Sequence, residues 1–118
     1  MGFIKDGIPT TMINFGQPRI GDTAYATFSD SKLAQFRVTH YKDPVPNIPP
    51  RIPIEYHHTA YEIYEDLDGS VRQCDATGED KSCTDQWHTW QYNADDHSTY
   101  LGMCMGEGCG NCAATFLQ

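Results

Sequence analysis

Two short runs rich in apolar and β-branched residues, 10–15 (Thr-Thr-Met-Ile-Asn-Phe) and 36–40 (Phe-Arg-Val-Thr-His), flank a stretch with helical spacing. In that stretch, residues 23–33, the apolar side chains fall at Ala24, Ala26, Phe28 and Leu33. The first run lacks alternation, which predicts a strand buried on both faces. Strands joined by a helical crossover run parallel, so the order strand, helix, strand predicts an α/β sheet. Residues 16–21 (Gly-Gln-Pro-Arg-Ile-Gly) break the first strand, and Asp43-Pro44 ends the second. A chain of 118 residues holds at most one small domain.

The remaining segments add punctuation more than regular structure. Residues 3–8 read as a helix end stopped by Gly7 and Pro9. Residues 44–53 hold five of the seven prolines and form an extended loop. Residues 61–65 and 70–73 flank Asp66-Leu67-Asp68-Gly69, whose Asp-Gly pair predicts a hairpin. Residues 74–90 read as polar loop. Residues 96–103 are expected to open a helix with Asp95 or Asp96 as N-cap. Residues 104–118 carry Gly and Cys without periodicity, and no internal repeat is present.

Composition excludes several partners. A net charge of −8 with only eight Lys and Arg repels a phosphate backbone, so nucleic acid is not expected as a partner. No apolar run approaches the ~20 residues of a transmembrane helix. Residues 1–9 lack the apolar core of a secretory signal, and Asp6 stands where myristoylation wants Ser or Thr. Five cysteines point to an oxidising compartment or a metal site, and their odd number leaves one without an intrachain partner.

Among the titratable residues, Asp43 lies in a strand-to-loop segment and His97 at an element start, each with a bland alternative: a turn cap or a helix-start polar residue. His57-His58 resembles a metal pair, but neighbours in a strand point apart, so a packing role is expected. Glu62, Glu65, Asp66 and Asp68 read as a solvated hairpin face. They lack the alternating ligands of a calcium loop.

Four segments in order give these residues a sharper reading: 15–22 (Phe-Gly-Gln-Pro-Arg-Ile-Gly-Asp), 36–50, Cys74 with Cys83, and 96–100 (Asp-His-Ser-Thr-Tyr). Together they resemble the fungal lipase-like, or class 3, lipase family of α/β-hydrolases over roughly residues 8–109, leaving residues 110–118 as a tail. The resemblance implies a partial α/β-hydrolase fold, comprising its C-terminal strands, hairpin and triad loops. It also implies acyl transfer from an ester to serine and then to water. Asp43 is the implied triad acid, holding His97 in one tautomer, and His97 the base that takes and returns the serine proton. Such a couple needs an imidazole that exchanges protons near neutral pH and a carboxylate that stays ionised. Although 54 residues separate them, the two are expected to converge at the C-terminal edge of the sheet.

The family's triad runs Ser, Asp, His along the chain, and these 118 residues contain no Gly-x-Ser-x-Gly. The nucleophile elbow is implied upstream of the first strand. The expectation is therefore a C-terminal fragment of a secreted class 3 lipase, inactive on its own and poorly folded. The implied partner is an ester or lipid substrate, and no cofactor is expected. Cys74 and Cys83 sit where several members have a small disulfide loop, and the polar, turn-rich segment between them suits that pairing. Cys109 falls about where members carry a cysteine bonded back to the N-terminal region. Other readings are an inert lipase-like fragment or binding module, and a small zinc protein using these cysteines with Cys104, Cys112 and His88 or His97.

Overall fold

The computed structural model describes residues 5–106. Its centre is a four-stranded sheet in the order β1 (Thr11–Phe15), β3 (Ala34–His40), β5 (Glu62–Glu65), β6 (Val71–Gln73). β1, β3 and β5 run parallel, with Thr11 opposite Ala34 and Arg37 opposite Glu62, and β6 closes the sheet antiparallel to β5. The α/β expectation holds. Between β1 and β3 the chain passes through β2 (Gly21–Asp22) and α1 (Thr23–Asp30). The Asp22 side chain starts α1 by accepting the Tyr25 amide at 2.8 Å. β2 pairs with β4 (Tyr56–His57), and β7 (Thr99–Tyr100) with β8 (Met103–Cys104).

β1 departs from expectation. It is the edge strand of its sheet, and Ile13 is 60% exposed, so it is not buried on both faces. An edge strand has a pairing partner on one side only, and its continuous apolar run reports the residue types and not the burial.

One face of the sheet is polar and buried. Gln35, Arg37 and Thr39 alternate along β3 towards it, joined by Glu62 and Tyr64 of β5. α1 covers one end, where the Gln35 amide donates to Ser29 Oγ and Asp30 Oδ1. The segment closed by the Cys74–Cys83 disulfide (Cα–Cα 6.3 Å) covers the other. Residues 74–90 are therefore not simply a surface loop: Glu79 and Thr84 are buried, and Arg37 donates to the Gly78 carbonyl.

The acidic hairpin face also needs correcting. The hairpin forms as expected, turning at Gly69 with φ +81. Asp68 is exposed, but Glu62 and Glu65 are 1% and 4% exposed. Glu62 accepts from the Thr39 hydroxyl at 2.7 Å and the Thr84 amide at 3.1 Å, and pairs with Arg37. Those partners compensate a buried carboxylate, which composition cannot foresee.

Candidate active site

Two chain reversals and one strapped segment bring the candidate residues to the C-terminal ends of the parallel strands. After β1 the chain turns at Gly16, with φ +63, whose amide donates to the Val38 carbonyl. After β3 it turns at Tyr41, with φ +35, an uncommon conformation for a side chain of this size. Two residues on lies Asp43, fully buried. The segment carrying His97 is stitched across these ends. The Asn93 amide donates to the Lys42 carbonyl at 3.0 Å, His40 Nδ1 donates to the Asp96 carbonyl at 2.9 Å, and the Leu101 amide donates to Glu65 Oε2 at 2.8 Å.

His97 does not open an α-helix. It lies in a single 3₁₀ turn, Ala94–Ser98, capped by the Asn93 side chain and not by Asp95 or Asp96. The chain then enters β7. Thr99 and Tyr100 favour extended backbone, and pairing with β8 supplies the hydrogen bonds a longer helix would have made.

The buried Asp43 carboxylate is compensated on both oxygens. Oδ1 accepts the Val45 amide at 2.8 Å. Oδ2 accepts His97 Nδ1–H at 2.8 Å and also the Tyr100 hydroxyl. The acceptor-only carboxylate assigns the imidazole tautomer with the proton on Nδ1. That leaves Nε2 as the basic nitrogen, on a side chain 43% exposed, with no hydrogen-bond partner among the described residues. Burial, then the Asp43 carboxylate, pushes the Tyr100 phenol far above its ordinary value, so Tyr100 acts here as a fixed donor. Tyr100 packs edge-on against Phe15 (5.7 Å between centroids) and His40 (5.6 Å).

The other candidates lie apart from this pair. His58 is buried with Nε2–H donating to the Pro46 carbonyl at 2.6 Å. Burial, then the Arg37 charge, holds it down to about 3, so it is neutral. His57 donates to the His58 carbonyl. Both have the packing role expected of them. The zinc reading loses two ligands to the disulfide: among the described residues the grouping Glu62, Cys74 and Cys83 offers no thiolate. Cys109 and Cys112 lie outside the described residues.

The sequence placed Gly16, Arg19 and Tyr100 in segments that carry the resemblance without giving their side chains a part in the site, and it gave Glu79 and Asn93 no role. Of these only Tyr100 had a usable signal, its spacing of three from His97 in the same segment.

Comparison with known proteins agrees with this architecture. The family described as lipase (class 3) matches residues 3–52. Secreted mono- and diacylglycerol lipase 1 of Fusarium solani is 42% identical over 74 residues, covering 62% of this chain and 21% of that protein. The Rhizomucor miehei lipase in its propeptide complex superposes with a TM-score of 0.70 at 27% identity, over 80% of this chain and 30% of that one. A triacylglycerol lipase described as having a serine protease triad at its catalytic centre superposes at 0.75, with 24% identity, over 86% of this chain and 40% of that one. The chain thus spans about a fifth of its Fusarium relative. With the sheet order, the strand-end site and these likenesses together, the chain is similar to class 3 lipases and has part of an α/β-hydrolase fold.

Proposed function

We propose that this chain supplies the acid and base of a secreted carboxylic ester hydrolase acting on acylglycerols or related lipid esters. The observation that carries the proposal is the Asp43–His97 hydrogen bond, a buried carboxylate fixing the tautomer of an accessible imidazole. Held so, His97 Nε2 takes the proton of an attacking hydroxyl and returns it to the leaving alcohol, while Asp43 stabilises the imidazolium. The nucleophile is a serine, as in the lipase with the serine protease triad. It comes from outside these 118 residues, whose five serines sit in no Gly-x-Ser-x-Gly. The secreted Fusarium relative and the Cys74–Cys83 disulfide support an extracellular setting.

The test is the coding sequence upstream of Met1, followed by assay of the extended polypeptide. An in-frame Gly-x-Ser-x-Gly and ester hydrolysis are expected, with Asp43→Asn lowering kcat about 10⁴-fold, the scale known for triad acids. Hydrolysis unaffected by Asp43→Asn overturns the assignment.

A further inference from the structure

The segment at the end of β1, Phe15-Gly16-Gln17-Pro18-Arg19, meets the His97 ring at one end and the loop that follows Asp43 at the other, without taking part in proton transfer. At one end, Gly16 lies directly against the imidazole. A Cβ built there falls 2.7 Å from His97 Cε1, 2.8 Å from Nδ1 and 2.7 Å from the Tyr100 hydroxyl, on a backbone at φ +63. Only glycine leaves room for the ring at that distance. Phe15, next to it, supports the Tyr100 ring whose hydroxyl donates to Asp43.

At the other end, Arg19 grips the loop that follows Asp43. Its guanidinium forks onto Glu79, Nε to Oε1 at 2.9 Å and Nη2 to Oε2 at 2.7 Å. Nη1 donates to the carbonyls of Asn47 (2.9 Å) and Pro49 (3.1 Å), and the Arg19 amide donates to Ile48 O at 2.9 Å. Both side chains are buried, so each bond is made away from water. Burial alone would raise Glu79, but hydrogen bonds and charge from Arg19 outweigh it and hold the carboxyl below its ordinary value. Residues 44–50 contain four prolines, and their three amides are spent locally on Asp43 Oδ1, Pro44 O and Val45 O, so the loop braces itself beside Asp43 and Arg19 fixes its far end from outside.

We infer that Gly16 and Arg19 are positioning residues, a bracket between β1 and β2 that sets the Asp43–His97 distance from both sides. This rests on the proposed role of that couple. Its signature is spectroscopic: a hydrogen-bonded Nδ1–H proton of His97, at low field and slow to exchange, in the ¹⁵N-labelled 118-residue chain.

Gly16→Ala and Arg19→Lys are each expected to abolish the signal or speed its exchange with water about tenfold, the scale of one net hydrogen bond lost. Ile20→Ala, at an exposed neighbour, should leave it unchanged. Parent-like signals in both Gly16→Ala and Arg19→Lys overturn the bracket while leaving the couple intact. A signal that persists in Asp43→Asn, or is missing in a parent whose β3 amides are protected from exchange, overturns the couple itself. If both bracket variants fail to fold, amide exchange in the parent decides. The Val45 amide, donated to Asp43, should be protected together with the Arg19 amide, and rapid exchange at Val45 beside a protected β3 overturns the inference.

Discussion

At the scale of single residues, Asp43 and Arg19 hold charge inside by multiple hydrogen bonds, whereas the buried Arg37–Glu62 pair leaves Arg37 Nη1 and Glu62 Oε2 without one among the described residues. Asp43 has three donors on two oxygens, and Arg19 spends its fork on Glu79 and its remaining amino group on two carbonyls. His58 makes the opposite choice and stays neutral. Its folded value of about 3 against an ordinary 6.5 fixes the sign of a pH effect. Above pH 6.5 neither folded nor unfolded His58 is protonated, and it contributes no slope. Between 6.5 and 3 the unfolded chain binds a proton that the folded one refuses, so stability falls with pH by up to ~1.4 kcal/mol per unit. Glu79, held low, loses stability in the same direction as acid protonates it, whereas Glu62, raised by burial, opposes the trend. Denaturant titrations from pH 7 to 4 should therefore show falling stability, with a flatter slope in His58→Asn than in the parent. Equal slopes would remove His58 as the cause.

At the scale of elements, two joints decide the lower part of the sheet. The β5–β6 hairpin turns at Gly69, where φ +81 suits glycine and nothing crowds the missing side chain. Gly69→Ala should cost about 1 kcal/mol by backbone strain alone, read as a shifted denaturation midpoint with unchanged m-value. The Cys74–Cys83 disulfide ties the end of that hairpin to the turn at Thr84, whose amide completes the Glu62 site. Replacing both cysteines by serine should cost about 2–3 kcal/mol in the chain-entropy model. The Thr84 amide should then exchange faster than those of β3. An unchanged denaturation midpoint would mean that the cover holds without its covalent tie.

For the molecule as a whole, the described interior is short of apolar contacts. Buried apolar side chains are few (Val38, Tyr64 and Tyr100 among them), and buried polar or charged residues outnumber them. Meanwhile Ile8, Ile13, Ile20, Phe28, Ile52, Ile54 and Trp90 are half or more exposed. Apolar burial is the main favourable term in folding, so the isolated 118-residue chain should be marginal. Calorimetry should show a broad, weak transition, and a sharp cooperative one in a monomer would contradict this. The same chain should not hydrolyse a short-chain nitrophenyl ester. A general base alone contributes roughly 10²–10⁴-fold, short of the 10⁶ or more of an enzyme.

What the sequence by itself determined was local and periodic. The strand, helix, strand order dictated parallel pairing, the Asp-Gly turn dictated the hairpin, and four ordered segments carried the likeness to class 3 lipases before any coordinate was known. Tertiary structure alone decided which charges go inside. Glu62 and Glu65 read as surface because burial of a carboxylate depends on Thr39, Thr84 and Leu101, brought from up to 36 residues away. It also decided that the His97 segment is a short turn running into β7, because strand pairing and the Asn93 cap outweigh the helical pattern of so short a stretch. The roles of Gly16 and Arg19 were invisible for the same reason. A glycine's missing atom and an arginine's reach acquire meaning only from the side chains that folding sets beside them.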